Sequence, residues 1–332
     1  SRRPRGVGRV GADVRTSADW DLLVAGRPSV DVMFSGLETW PALGRDIDAE
    51  GLGVCAGTSF NTPAAANRLG LRVGYIAMVG NDRWSRIVRD EWETEGLPTD
   101  FLRIEDRAMP FVSVALNHEG DRGFVTYYGA EEGDDRELDR LARRVVETAS
   151  ARHLHAYAGE AADGLVGAAR ERGMTVSLDG WGGPWWESSA PLDVLLEGAD
   201  VVLANSDEAL AMTIETDVRA ATARLGELCP IAVVKLGAGG AIAAAEGQIL
   251  EVSAEAVDIV DTTGAGDCFN AGFLRGWLAG LAVRECLTIA TICGTRAVET
   301  FGGYRGCPRE RELIDLAAAR GIALPPIRGG TT

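Results

Sequence analysis

The sequence predicts an α/β fold, a largely parallel sheet covered by helices. Three observations carry this. Strand-length apolar runs alternate with helical patterns over most of the 332 residues. Several of those runs end in a small or polar residue where the chain would leave a sheet. One Gly-rich turn, at 264–266, runs directly into a helix with an apolar stripe.

In chain order, DLLVAG (21–26) reads as a short buried strand ending at Gly26. TPAAANRLG (62–70) is Ala-rich and helical, stopped by Gly70. VGYIAMVG (73–80) is the next strand, followed by a helical stretch at 84–96. The texture then changes: PFVSVALN (110–117) and RGFVTYY (122–128) flank a four-residue turn at 118–121, which predicts a β-hairpin. The alternation resumes with strands at 151–159, 174–180, 199–205 and 231–237. Ligands of open α/β sheets bind beyond the carboxyl ends of the strands, so the exits of these runs are where chemistry is expected.

Composition narrows the classes of function. With 46% hydrophobic and 25% charged residues the chain has the balance of a soluble globular protein. It holds no run of about 18 apolar residues, so no membrane association is expected. Residues 1–19 are Arg-rich with no apolar segment behind them and read as a flexible extension rather than a secretory signal. A single domain is expected over 20–325, with a flexible tail at 326–332. A net charge of -16 argues against nucleic acid, whose phosphates want a basic surface. The six cysteines (55, 229, 268, 286, 293, 307) include no C-x-x-C pair, so neither a zinc site nor a disulfide framework is indicated. Reduced thiols in a cytoplasmic protein are the expectation. Lys235 is the only lysine in the chain, so any mechanism that needs one must use it.

The strongest local signal is VDTTGAGDCFNAGFL, residues 260–274. Phe269, Phe273 and Trp277 recur every four residues, which is helical spacing. Gly264 and Gly266 allow a tight turn that presents several N–H groups at the helix N-terminus, an arrangement that binds phosphate. Asp267 beside them would repel that phosphate, unless it faces an acceptor hydroxyl and takes its proton. The plainer reading of a bare Gly-Ala-Gly-Asp is a helix cap.

The full string resembles the C-terminal signature of the ribokinase-like (pfkB-type) carbohydrate kinases, and the resemblance runs over roughly 21–320. It implies that Gly264, Ala265 and Gly266 form the anion hole and that Asp267 is the catalytic base. Other marks follow in order. Gly26 and Asp31 resemble the early motif whose Asp binds substrate hydroxyls. AGTSFNTPAAANRLG (56–70) resembles the N-terminal signature, with Gly57 and Asn61 matching its substrate contacts, and VGND (79–82) follows at the usual distance. Asn205 and Glu208 resemble the N-x-x-E motif that positions Mg²⁺, through water, and phosphate. KLGAGGA (235–241) resembles the turn that contacts the nucleotide, assigning Lys235, Gly237 and Gly240 to ATP. A monovalent cation, K⁺, is implied near Asp261 and Thr263.

The same resemblance implies helices on both faces of a central, mostly parallel sheet plus a small β-lid. The lid is drawn from about 30–56 and 104–129, and in relatives it closes over the sugar and sometimes pairs with a second subunit. The implied activity is ATP-dependent phosphorylation of a hydroxyl on a small sugar or sugar-like substrate. A nucleoside acceptor is the alternative within the family, and a catalytically silent, kinase-like binding protein is the alternative outside it. A sugar phosphate is disfavoured, because the early motifs offer little basic character beyond Arg27.

Three departures stand out. Ala56 replaces the first Gly of the usual Gly-Gly pair, and Trp84 stands near a common Gly position. After Asp179, Trp181 and Gly183 occupy positions where relatives often carry Asn and Arg, which weakens any role carried over to Asp179. The run DGWGGPWW holds Trp181, Trp185 and Trp186, either a ligand platform or a hydrophobic clasp. GVGRVG (6–11) matches a dinucleotide pattern without the strand and helix that would give it meaning, and no P-loop is present. His153 and His155 read as structural or pocket-lining rather than metal ligands.

Overall fold

The structure, a computed structural model, describes residues 18–118, 121–129, 133–157, 162–180 and 191–327. The chain enters through β1 (Trp20–Ala25), β2 (Pro28–Ser35), β3 (Gly51–Thr58) and α1 (Asn61–Arg68). It continues through β4 (Val73–Val79), α2 (Arg83–Thr94), β5 (Leu102–Ile104), β6 (Val112–His118) and β7 (Asp121–Tyr127). Next come α3 (Asp134–Thr148), β8 (Ala151–Tyr157), α4 (Ala162–Glu171), β9 (Thr175–Asp179) and α5 (Leu192–Leu195). β10 (Val201–Asn205), α6 (Ser206–Thr213), α7 (Val218–Leu228), β11 (Ile231–Lys235), β12 (Ala241–Ala245) and β13 (Gln248–Val252) complete the sheet. α8 (Ala265–Leu278), α9 (Val283–Val298) and α10 (Glu310–Ala318) close the chain.

A nine-stranded sheet has the order β13-β12-β11-β10-β9-β8-β1-β4-β5. Its members from β11 to β5 are parallel, and β12 and β13 form an antiparallel edge. Alternation along the strands divides two cores, because successive side chains leave opposite faces. On β1, Leu22 and Val24 join the core packed by α1, α8 and α9, while Leu23 joins the core packed by α3, α4 and α7. The antiparallel edge escapes a reading by pattern: AIAAA (241–245) is buried at every position and so shows no alternation. The strand expected over 231–237 stops at Lys235, where Gly237 (φ +56°) and Gly240 (φ +94°) let the chain reverse into β12.

A second sheet, β3-β2-β6-β7, stands apart from the first and contains the predicted hairpin as β6 and β7. Its strands cover 28–35, 51–58, 112–118 and 121–127; residues 36–50 connect β2 to β3, and β5 belongs to the main sheet. Its register places Asp31, Met33, Gly53, Cys55, Ser113 and Ala115 on one face. That face turns toward the body, where Phe301 fills the space a side chain at Gly53 would need.

α8 sits close against α9 because Gly272 and Gly276 leave room. A Cβ at Gly272 would lie 2.8 Å from Cys293 Sγ and 2.9 Å from Ala290 Cα. Two glycines inside a helix cost about 1 kcal/mol each relative to Ala, so the close approach is what offsets them. Arg275, fully buried, donates from Nε to the carbonyl of Leu69 (2.9 Å) and ties α8 to the end of α1. That clamp joins the C-terminal ends of the two helices, and their N-termini meet through Asn61, Thr62 and Asp267. Among the described residues no helix is long and apolar enough to cross a membrane. All six cysteines are free and buried. Residues 6–11 and the tryptophans of 181–186 lie outside the described residues.

Candidate active site

Gly264 precedes α8 in the left-handed region (φ +71°), and a Cβ there would lie 2.8 Å from Gly303 Cα. Backbone conformation and space both demand glycine. The turn puts the N-terminus of α8, the positive end of its dipole, on the cavity lining, with the Ala265 amide making one long bond back to the Thr262 carbonyl (3.4 Å).

Asp267 lies in the first turn of α8. Thr62 Oγ1 donates to its Oδ1 (2.8 Å) and Asn61 Nδ2 to its Oδ2 (3.2 Å). Burial, then the neighbouring Asp179 carboxylate, pushes its pKa up to about 6, against the pull of Thr62, Lys235 and Asn61. Asp267 therefore makes no cap bond of the usual kind; its partners come from α1 and hold a carboxylate poised near neutrality.

Asp179, at the end of β9, is buried and accepts from Asn270 Nδ2 (2.7 Å) and from Lys235 Nζ (3.2 Å). Lys235 Nζ also reaches Asn270 Oδ1 at 3.3 Å. Burial alone would lower the lysine's pKa, but Asp179, Glu208 and Asp267 around it raise it, so it is held charged. Asn205 caps α6: its Oδ1 accepts from the Glu208 amide (2.8 Å), and Glu208 Oε2 accepts from the Asn205 amide (2.7 Å). The N-x-x-E spacing is thus a capping box that presents the two side chains together at the sheet's carboxyl edge.

A cavity of about 660 Å³ joins these groups. Asp179, Asn205, Glu208, Lys235, Gly237 and Gly240 line it from the strand ends, and Gly264, Ala265, Gly266 and Asp267 from α8. Ala256, Val257, Ile259, Phe269 and Val298 make its apolar wall. The size lies within the range of small-molecule sites.

Asp31, Gly57 and Asn61 lie outside that lining, on the lid sheet and the start of α1. Ser29 Oγ donates to Asp31 Oδ1 (2.6 Å), and a Cβ at Gly57 would fall 1.9 Å from the Asp31 carboxylate, so Gly57 makes room for it. Burial raises Asp31 to about 6, with Ser29 opposing. Asn61 reaches between the two regions: Nδ2 serves Asp267, and Oδ1 is buried with no hydrogen-bond partner among the described residues. Asp261 Oδ1 accepts from the Thr263 amide (2.9 Å) and Oδ2 from the Gly302 amide (3.1 Å), while Thr263 Oγ1 is buried without a partner among the described residues.

Ala56 is fully buried opposite Val30, and Trp84 packs against the core at the start of α2. His153 and His155 are fully buried and share Ser177 Oγ at 2.8 and 2.7 Å; burial keeps both neutral, at about 3 and about 4. Three residues of the site escaped the sequence reading. Thr62 carried a signal in following Asn61, and Asn270 in standing one helical turn after Asp267 on the same face. Gly303 carried none, because only the folded chain brings it to Gly264.

Residues 54–310 match the pfkB family carbohydrate kinase pattern. The chain belongs to the pfkB family of carbohydrate kinases. A sugar kinase of unassigned substrate from Archaeoglobus fulgidus is 33% identical over 73% of this chain and 98% of its own length. Fructoselysine 6-kinase of Shigella flexneri is 26% identical over 75% of this chain and 91% of the relative. In fold, the chain matches Arabidopsis thaliana ribokinase, solved with ribose and ATP, at a TM-score of 0.72 and 23% identity. That match covers 90% of this chain and 98% of the ribokinase. The pfkB assignment places the protein among the ATP-dependent sugar and nucleoside kinases.

Proposed function

We propose that the protein phosphorylates a hydroxyl of a small, sugar-like acceptor, with Asp267 taking the hydroxyl proton. The observation that carries this reading is a buried carboxylate, raised toward neutrality, in the first turn of a helix whose glycine-opened N-terminus lines a cavity of about 660 Å³. Asp31, Gly57 and Asn61 orient the acceptor, the unpartnered Asn61 Oδ1 accepting one of its hydroxyls. As the acceptor oxygen bonds to the γ-phosphorus, its proton passes to Asp267 and ADP leaves. The amides of Gly264–Gly266 stabilise the charge gathering on the phosphoryl oxygens.

ATP fits the residues present. The apolar wall suits a planar base, and Gly237 and Gly240 bring backbone, not side chains, to the cavity. Mg²⁺ supplies charge neutralisation on phosphate oxygens and keeps most of its waters; Asn205 and Glu208 face that region. The unpartnered Thr263 hydroxyl beside Asp261 fits an oxygen-seeking K⁺. Thr263→Val would then reduce activation by KCl relative to choline chloride.

The outer face of the lid sheet supports a homodimer. Leu52 (65% exposed), Val125 (66%) and Tyr127 (64%) share it by register. Val125→Asp should shift a dimer to monomer in light scattering; an unchanged mass would remove the lid from the interface.

The test of the function is acceptor-stimulated ATP consumption across ribose, fructose, fructoselysine, nucleosides and aminocyclitols. Stimulation by none of them would favour a silent binding protein.

A further inference from the structure

The chain carries 33 basic residues, and Lys235 is the only one that is not arginine. A scarcity of lysine does not account for where the single one stands. It stands at the end of β11, lining the large cavity, and among the described residues it is that cavity's only basic side chain. Arginine and lysine differ in shape: a guanidinium is a broad planar fork, an ammonium a compact point charge on a flexible stem. The space here suits the second. Lys235 Nζ sits between Asp179 Oδ1 at 3.2 Å and Asn270 Oδ1 at 3.3 Å, and a Cβ on Gly266 would lie 3.6 Å from it. The ammonium is therefore in ordinary contact range of the turn that would hold the phosphoryl group.

Its holders are arranged for release. Asp179 accepts from Lys235 on Oδ1 and from Asn270 on Oδ2, so Asn270 keeps the carboxylate in place if the lysine moves away. Asn270 stands three residues after Asp267 on the same face of α8, which fixes base and holder on one rigid element. The cavity is otherwise acidic, with Asp179, Glu208, Glu255 and Asp267 along its lining. An incoming triphosphate meets that charge with one side-chain cation to offset it.

We propose that Lys235 is the cation that leaves Asp179 for the transferring phosphoryl group, and that Asp179 and Asn270 are its positioning residues. The proposal rests on the kinase reading above and assigns Asp179 a task that Trp181 and Gly183 left open. In the resting protein the lysine's charge is engaged by Asp179. With nucleotide bound it is shared with the γ-phosphate, and Asn270 continues to hold Asp179.

Binding needs no known acceptor, so the test uses Mg²⁺ with the non-hydrolysable analogue AMP-PCP, and AMP as the control without a γ-phosphate, by calorimetry. Lys235→Met should weaken AMP-PCP about 10- to 100-fold, the scale of a hydrogen bond between charged groups, and leave AMP unchanged. Lys235→Arg should recover little of that loss. Asp179→Asn should bind AMP-PCP at least as tightly as the unaltered protein, because it removes the lysine's competitor. The double variant Asp179→Asn/Lys235→Met removes both members of the ion pair, so neither is left charged without the other, which guards against misfolding; it should stay weak for AMP-PCP. A merely structural ion pair predicts the reverse: Asp179→Asn weakens binding as Lys235→Met does, and the double variant recovers. Either of those results, or full function of Lys235→Arg, overturns the proposal. If the unaltered protein binds neither nucleotide, the kinase reading itself fails; if it binds both and no variant discriminates them, only this inference does.

Discussion

Replacing Asp267 by Asn removes one negative charge and one proton acceptor while keeping the shape of the side chain. Thr62 Oγ1 lies 2.8 Å from one carboxylate oxygen and Asn61 Nδ2 lies 3.2 Å from the other. An asparagine fits both if its Oδ1 faces Asn61 and its amide donates to Thr62, whose hydroxyl turns to accept. Both contacts are kept, so the fold should hold. Stability should in fact rise. The folded-state pKa, about 6, lies above the ordinary aspartate value of 3.8, so the charged form opposes folding. That opposition is complete above about pH 6 and is relieved as pH falls through 6 toward 4. At pH 8 Asn removes it, worth roughly 1–3 kcal/mol, and Tm should increase. Turnover should move the other way, falling about 10²–10⁴-fold, the scale of lost general-base catalysis. In the unaltered enzyme kcat/KM should fall tenfold per pH unit below about 6, where Asp267 takes up its proton. The assay is initial-rate kinetics at pH 8 beside a thermal melt. A variant with near-normal turnover would refute the reasoning and return Asp267 to a structural role.

Thr62→Val removes the stronger donor to Asp267, so the acidic limb of the pH–rate profile should move to higher pH while kcat at pH 8 changes only a few-fold. Gly264→Ala meets both the left-handed backbone and Gly303; it should cost about 1–3 kcal/mol in a urea melt and more than tenfold in kcat. Gly272→Val, far from the chemistry, drives a side chain into Ala290 and Cys293. About 2–3 kcal/mol of lost stability is expected, with KM unchanged in whatever protein remains folded.

Much of the fold was legible because its strands are short, apolar and punctuated. The parallel body, the hairpin of β6 and β7, and the helix that begins after Gly264 all announce themselves. The β12–β13 edge did not, since a strand of small residues buried on both faces has no period to read. Within the site, Asp267 could be singled out because a carboxylate beside a phosphate-binding turn is electrostatically odd. The residues around it were harder. Thr62, Asn270 and Gly303 matter through distances of about one hydrogen bond or one methyl group, and such distances exist only after α1, α8 and the 301–306 turn have packed. Asp179 shows the same limit from the other side: Trp181 and Gly183 put its role in doubt, and only the positions of Lys235 and Asn270 restored it to the site.

The central claim is that Asp267 receives the proton of an acceptor hydroxyl during phosphoryl transfer from ATP. The most direct measurement supplies [γ-³²P]ATP, Mg²⁺ and K⁺ with each member of the acceptor panel and follows label into a phosphomonoester, comparing the unaltered chain with Asp267→Asn. Labelled ester is expected from at least one acceptor, and it is lost in the variant although the variant still binds nucleotide. Labelled ester formed equally by both proteins, or by neither with any acceptor, would contradict it.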